Sequence, residues 1–195
     1  MKYEFPHITN ISQVLPHVAK RPEFIVAEKD GGYTVINYLV QMADTFPPVQ
    51  YEADAILREC RGMIFNTATG AILRRPLHKF FNLMEKEETQ LANVDFSESH
   101  TVFTKLDGSF LSPFIVEGKV RFGTKMGLTE VALQAEPFIT AHPEYLGFSA
   151  WCIENGITPI FEYTAPDNRI VIHYDKPMLT LLACRNMITG EYLPL

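Results

Sequence analysis

Short apolar runs separated by turn residues recur along the 195-residue chain. Runs of about four to eight residues that end at Gly, Asn, Asp or Pro are typical of strands joined by hairpins. The pattern predicts strands at 24–27, 33–40, 62–65, 71–73, 101–105, 109–116, 119–123, 159–163, 169–174, 178–184 and 191–193.

Helical periodicity occurs in two places. Apolar residues spaced i, i+3, i+4 and i+7 predict a helix over 10–20, which Asn10 would cap and Pro16 would interrupt. A region rich in Ala and Leu predicts two helices over 129–155, broken near Pro143.

Strands in hairpins with grouped helices predict an antiparallel α+β fold. The alternation of strand and helix expected of a dinucleotide fold is absent, and so are G-x-G-x-x-G and G-x-x-x-x-G-K-[ST]. Pro47 and Pro48 mark the best candidate for a loop between an N-terminal lobe of helix and hairpin, residues 1–50, and a larger unit, residues 51–195.

The composition excludes several classes of protein. With 47% hydrophobic residues, 14 Phe and 8 Tyr, the chain is not of the disordered class. It has no apolar stretch of roughly 20 residues and no apolar signal core at its start, so neither a membrane span nor a secretion signal is expected. Three widely spaced cysteines argue against a disulfide framework or a zinc site and favour a reducing cytoplasm.

Charge is unevenly distributed. The net charge of −6 argues against a general nucleic-acid coat. Yet residues 58–79 hold five cations and one anion, and residues 119–125 hold three cations and no anion. Two basic segments on an acidic protein suggest a local phosphate site, and the alternative is that they are solvated strand faces.

Lys105 stands immediately before a Leu-Asp-Gly turn in the segment KLDGS. A lysine at a strand end projects from a fixed backbone, and the N–H groups of the turn can face a phosphate. If its amine is partly desolvated among other cations, it can act as a nucleophile. The alternative is a solvated lysine beside a common hairpin turn.

Three other polar residues stand among aromatic neighbours. Glu162 lies between Phe161 and Tyr163, so a strand would point its carboxylate away from both rings. In a cleft it could hold a ribose hydroxyl or a metal-bound water, whereas on an edge strand it would face solvent. Arg61 and Lys79 lie beside a turn or strand end, and the aromatic residues after Lys79 could stack on a base or belong to the core.

Taken in order, these segments resemble the covalent nucleotidyltransferases, and within them the phage-type ATP-dependent RNA ligases of the RNA ligase 1 family. The resemblance extends from about residue 24 to the end. It depends on ECRGMIFN (59–66), RPLHKFFNLME (75–85), KLDGS (105–109), GTK (123–125), FEYTAPDNRIVIHY (161–174) and, more weakly, TLLACRN (180–186).

The resemblance implies an antiparallel-sheet nucleotidyltransferase, or adenylylation, domain of the nucleic-acid ligase type. It implies that Lys105 attacks the α-phosphate of ATP, forms a lysine–AMP bond and releases pyrophosphate. The AMP then passes to an RNA 5′-phosphate, and a 3′-hydroxyl displaces it. Gly108 would let the backbone approach the nucleotide, and Arg61 and Lys79 would hold the triphosphate.

The same resemblance assigns further residues to the pocket. Glu162 would lie near the ribose and serve Mg²⁺, which phosphoryl transfer requires. Lys125 would be another lysine of the nucleotide pocket. Leu106 and Phe81 would be nucleotide contacts, with core packing as the alternative for Phe81.

Two family segments have no counterpart in the sequence. The family continues after TLLACRN to a glutamate-glycine segment that binds metal and then to a K-x-K segment whose lysines contact the α-phosphate. The sequence therefore predicts a C-terminally incomplete domain, weak or inactive alone in full ligation. It would be a fragment, half of a split ligase completed by a second chain, or a degenerate relative.

Three functions stay open from the sequence. The first is an ATP-dependent RNA ligase, or its adenylylation portion, acting on RNA with 5′-phosphate and 3′-hydroxyl ends. The second is a non-catalytic nucleotide or RNA binder, and the third a GTP-using capping enzyme. Family members often repair tRNA during phage infection, so a cytoplasmic location is expected, in the bacterial host if the gene is from a phage.

Overall fold

The computed structural model describes residues 4–194 and contains two antiparallel sheets. The first sheet has strands in the order β1-β2-β3-β4. These strands are β1 (Phe24–Lys29), β2 (Tyr33–Tyr38), β3 (Arg61–Asn66) and β4 (Ile72–Arg74). A 3₁₀ turn at Ile11–Gln13 and a short helix α1 (Leu15–Val18) precede the sheet, and α2 (Glu52–Glu59) connects its second and third strands.

The second sheet has the order β6-β5-β7-β8-β9. Its strands are β5 (Ser109–Val116), β6 (Lys119–Gly123), β7 (Ile157–Thr164), β8 (Met178–Asn186) and β9 (Tyr192–Leu193). Helices α3 (Glu130–Ala141) and α4 (Pro143–Glu154) stand between β6 and β7, and two 3₁₀ turns, Glu87–Thr89 and Leu91–Asn93, lie in the connection between the sheets. All strand pairs are antiparallel, which confirms the α+β prediction.

Three buried clusters hold the fold together. One packs the N-terminal helices and α2 against the first sheet, and another packs α3 and α4 against the second. The third joins Tyr33, Val35 and Ile64 of the first sheet to Phe114 and Val116 of the second, so apolar burial connects the two sheets. Strands from both sides of residue 50 share the first sheet, and the division of the chain at that residue stays a prediction.

Most elements match the sequence prediction. The two helices in 129–155 form, with the break at His142 just before Pro143. Asn10 caps the N-terminal turn, its Oδ1 accepting the Ser12 N–H at 3.0 Å. The helix predicted over 10–20 is shorter than expected, because it divides into a 3₁₀ turn and the four-residue α1.

Two predictions of local structure are wrong, and one helix was not predicted. Residues 101–105 form no strand, and they are exposed with no partner strand beside them. Residues 169–174 form no strand either, because the Val171 and Ile172 N–H groups donate to the Asp107 carboxylate instead of a neighbouring backbone. Helix α2 was not anticipated at all.

Buried arginines connect the two halves and correct the interpretation of the basic segment 58–79. Glu59 is almost fully buried, and its carboxylate accepts hydrogen bonds from Arg75 at 3.0 Å and from Arg185 at 2.7 and 2.8 Å. Arg74 is completely buried, and Arg58 forms a two-bond pair with Glu88. Of the five cations in this segment, only Arg61 and Lys79 are left as candidates for phosphate.

No helix among residues 4–194 has the length and apolar character needed to cross a membrane.

Candidate functional site

Lys105 lies in an irregular segment that leads into β5, and its side chain is exposed. The partial desolvation expected of its amine is therefore not observed. The turn that follows is nevertheless held firmly. Asp107 Oδ2 accepts the N–H groups of Val171 and Ile172, each at 2.7 Å, and the Asp107 N–H donates to the Tyr174 hydroxyl at 3.0 Å. These two backbone donors hold the pKa of Asp107 below its usual value.

Gly108 and Glu162 connect the KLDGS turn to strand β7. The Gly108 N–H donates to Glu162 Oε1 at 3.0 Å. A Cβ atom at position 108 would clash with the Tyr163 carbonyl oxygen and lie 2.8 Å from Thr164 Cγ2, so only glycine permits this approach. Burial raises the pKa of Glu162, while the Gly108 N–H and the charges of Lys105 and Arg61 act in the opposite direction.

Arg61, the first residue of β3, lies close enough to both the Glu162 carboxylate and the two lysines for its charge to act on them. Its positive charge acts on Glu162 and also on Lys79 and Lys125. Its guanidinium carbon lies 5.1 Å from the ring centre of Phe80. Its Nη1 is buried and has no hydrogen-bond partner in the part of the chain that the structure describes. An unmet buried donor beside other cations is suited to an anion.

Two lysines approach Tyr38 at the end of β2. The Nζ of Lys79 lies 5.9 Å from the Tyr38 ring centre, and the Nζ of Lys125 lies 5.2 Å from it. Lys79 also donates to the Phe80 carbonyl oxygen at 2.8 Å. Burial lowers the pKa of both lysines, and the nearby Arg61 charge lowers them further. The aromatic face offsets part of the repulsion between two such cations.

Phe81 is half-buried and packs against the first core cluster. The Nζ of Lys79 lies 4.4 Å from its ring centre, and the Arg58 guanidinium and the Lys86 amine lie at 5.2 and 5.5 Å. Core packing is thus part of its role, whereas nucleotide contact stays a prediction. Leu106 is half-buried between Lys105 and Asp107.

The structure brings the residues singled out from the sequence into two connected groups. Lys105, Gly108 and Glu162 form one, Lys79 and Lys125 belong to the other, and the charge of Arg61 acts on both. Tyr38 and Tyr174 were not singled out from the sequence as members of the site. Tyr174 was placed in a strand, and nothing in the sequence marks Tyr38, because an aromatic residue at a strand end is ordinary.

The residues present are compatible with Mg²⁺ only together with substrate phosphates. No cluster of three or more His, Cys, Asp or Glu side chains suited to a metal occurs within residues 4–194. Mg²⁺ is commonly held by one or two carboxylates plus the phosphates of a nucleotide. Glu162 fits that pattern, because its Oε2 accepts no hydrogen bond from the described residues.

A cavity of about 1090 Å³ lies beside Lys79, but Lys105, the candidate nucleophile, does not line it. Lys79, Phe80 and Phe81 contribute to its wall, together with α2 and residues 4–7. Lys105 and Glu162 do not line it. The candidate site is therefore defined by the Gly108–Glu162 hydrogen bond and by the charge of Lys105 acting on Glu162, and not by this cavity.

Comparison with known proteins places the chain among RNA ligases. The sequence profile of a family described as RNA ligase matches residues 59–195. That span includes every residue proposed from the sequence for the site.

Three relatives agree with this match. A putative RNA ligase of Thermovibrio ammonificans is 35% identical over 158 residues, covering 80% of this chain and 41% of its own length. A putative bifunctional polynucleotide kinase/RNA ligase of Autographa californica nuclear polyhedrosis virus is 29% identical over 70% of this chain and 22% of its own length. RNA ligase 1 of bacteriophage TS2126 is 29% identical over 90% of this chain and 45% of its own length.

The chain thus spans less than half the length of each of these relatives. The profile nevertheless matches well over half of the chain and includes both groups of site residues. This chain belongs to the phage-type RNA ligase family.

Proposed function

We propose that this chain is the adenylylation portion of an ATP-dependent RNA ligase. The observation that supports it most directly is the Gly108–Glu162 hydrogen bond, which ties the turn after Lys105 to a carboxylate beside the Arg61 cation. A nucleophilic amine, a carboxylate and several cations are the groups that nucleotidyl transfer needs. The two antiparallel sheets are compatible with a nucleotidyltransferase fold.

The proposed reaction has three steps. The unprotonated Lys105 Nζ attacks the α-phosphorus of ATP, an N–P bond forms, the bond to the β-phosphate breaks, and pyrophosphate leaves. An oxygen of the RNA 5′-phosphate then attacks the same phosphorus, and the lysine amine leaves. Finally the RNA 3′-hydroxyl attacks the 5′-phosphorus, losing its proton, and AMP departs.

The proposed roles of the side chains follow from their charges. Arg61, Lys79 and Lys125 would hold the phosphates, and Arg61 offers the unmet Nη1 donor. Glu162 would receive a ribose hydroxyl or Mg²⁺ through Oε2. Mg²⁺, when bound, neutralises phosphate oxygens and so favours attack at phosphorus. The backbone at Gly108 and the side chains of Leu106 and Phe81 are the proposed nucleotide contacts.

The test is covalent labelling with ATP carrying a labelled α-phosphate, in the presence of Mg²⁺. We expect a protein–AMP adduct that is absent in Lys105→Ala and in Lys105→Arg and unchanged in Lys119→Ala, which removes an exposed lysine of β6. GTP in place of ATP distinguishes a capping-type enzyme. The proposal is wrong if neither this chain nor a longer polypeptide that continues to the length of its relatives gives an adduct.

The exposure of Lys105 favours a second candidate, a nucleotide binder without chemistry. That function predicts ATP binding that survives Lys105→Ala, with no covalent product in any form of the protein. An adduct formed only after a second polypeptide is added would instead support a site completed by a partner chain.

A further inference from the structure

Arg74, the last residue of β4, makes an unusual set of contacts in the interior. It is fully buried, and no carboxylate pairs with it among residues 4–194. Its Nη1 donates to the carbonyl oxygens of Ser112 at 3.2 Å and Gly123 at 2.9 Å. Its Nη2 donates to those of Gly62 at 2.9 Å and Thr124 at 2.7 Å. One guanidinium therefore holds backbone from β3, β5 and the end of β6.

The two acceptors of Nη2 are direct neighbours of candidate phosphate ligands. Gly62 follows Arg61, and Thr124 precedes Lys125. The two backbones approach so closely that a Cβ atom at position 62 would lie 2.8 Å from Lys125 Cα and 3.0 Å from its carbonyl oxygen. Arg74 Nη2 therefore bonds the backbone on both sides of this close approach, one residue from Arg61 and one residue from Lys125.

Burying a cation without a carboxylate partner costs folding free energy, because the charge loses its hydration. Packing alone therefore does not explain why an arginine occupies this position. Burial lowers the pKa of Arg74 to about 9, so the side chain is still charged at neutral pH. Its guanidinium carbon lies 5.1 Å from the Phe114 ring centre and 5.9 Å from that of Phe110, which compensates part of the desolvation. Well-packed apolar residues can often replace buried charges without loss of stability.

We propose that Arg74 is a positioning residue for nucleotide binding, which sets the spacing of Arg61 and Lys125 and adds a fixed positive charge behind them. The inference rests on the proposed function, because it assumes that these two cations receive the phosphates of ATP. It predicts a defect in ATP binding larger than any loss of stability would cause.

Arg74→Lys is the informative variant. Lysine keeps the charge, but a single ammonium lacks the planar fork that bonds four carbonyl oxygens at once. We expect the KM for ATP in adduct formation to rise by about 10- to 100-fold, as for residues that orient ligands in other sites. The maximal rate should change much less, and Arg74→Met, which removes the positive charge as well as the fork, should raise the KM for ATP further than Arg74→Lys does.

Ser112→Ala is the matched control. Ser112 is equally buried, and its hydroxyl donates to the Pro159 carbonyl oxygen at 2.8 Å, joining β5 to β7. The substitution removes only this hydroxyl and keeps the Ser112 carbonyl oxygen that accepts from Arg74 Nη1. Its loss should lower the melting temperature and leave the KM for ATP unchanged. A purely structural role for Arg74 predicts instead that the KM values of both variants follow their melting temperatures.

The outcomes distinguish the two proposals. Absence of the adduct from both this chain and the longer polypeptide refutes the proposed function. An unsubstituted protein that reacts, beside a folded Arg74→Lys with an unchanged KM for ATP, overturns the Arg74 inference alone. Should Arg74→Lys fail to fold, Arg74→Gln, which retains an amide donor, is judged by the same criterion.

Discussion

Gly62 offers the most direct test of how the two sheets create the site. It lies in β3 between Arg61 and the buried Met63, with φ at +89°, a conformation that side chains with a Cβ rarely adopt. The Cβ of an alanine here would lie 2.8 Å from Lys125 Cα, and backbone cannot rotate away as a side chain can. We therefore predict that Gly62→Ala both destabilises the fold and separates Arg61 from Lys125.

The magnitude follows from two contributions. The left-handed backbone costs an L residue about 1–2 kcal/mol, and forcing an additional carbon into a packed region costs about 1–3 kcal/mol. Together they lower the free energy of unfolding by about 2–5 kcal/mol, a large part of the roughly 5–15 kcal/mol typical of a domain.

Gly118→Ala provides the matched control. Gly118 lies in the β5–β6 turn with φ at +74°, and a Cβ there would meet nothing within 4 Å. This variant has the same conformational cost, and the entropy that alanine removes from the unfolded chain is common to both. Urea denaturation should show Gly62→Ala less stable than Gly118→Ala by about 1–3 kcal/mol, with adduct formation impaired only in Gly62→Ala. Equal losses of stability would refute the close approach of the two backbones.

Three further predictions concern the titrating groups. Because burial raises the pKa of Glu162 above 4.5, its stabilising contribution is complete below that pH and is lost as the pH rises through the raised pKa. In thermal melts between pH 4 and 7, Glu162→Gln should therefore gain in melting temperature relative to the unsubstituted protein as the pH rises, although it loses adduct formation. The prediction is contradicted if the melting temperature of Glu162→Gln falls relative to that of the unsubstituted protein between pH 4 and pH 7. Burial lowers the pKa of Lys79 and Lys125 below 10.5, so ATP affinity, measured by calorimetry, should fall with rising pH before ordinary lysines titrate. An affinity that stays constant up to pH 10.5 would count against a role for these lysines in phosphate binding. Asp107→Asn removes the charge that accepts two N–H groups of segment 171–172, and limited proteolysis there should become faster, whereas unchanged cleavage would show that other contacts hold the segment.

The order of the site residues was readable from the sequence, but their partners were not. Lys105 and Glu162 were singled out as candidates from turn and strand composition, and it was the resemblance to RNA ligases that assigned them and Gly108 to one site. The Asp107 carboxylate, by contrast, organises residues 171–172 across more than 60 positions of sequence. Apolar periodicity carries no information on such a bond, and for this reason 169–174 was taken for a strand.

The basic segment 58–79 shows the same limit for charge. The sequence cannot distinguish a cation that faces solvent from one that is buried, because both have the same residue type and similar neighbours. Arg75 and Arg185 both pair with the buried carboxylate of Glu59. Arg74 donates to four backbone carbonyl oxygens. Only packing in three dimensions separates these from Arg61 and Lys79.

By itself, the sequence determined the antiparallel α+β class, most hairpins, the helices α3 and α4, and the family. These depend on local periodicity, turn chemistry and short motifs, all of which act over a few residues. Tertiary structure alone decided which arginines are structural, that Lys79 and Lys125 both approach Tyr38, and that the backbone at Gly62 lies close to that of Lys125. Those features arise where two sheets meet, and the contacts there join residues whose separation along the chain no local pattern records.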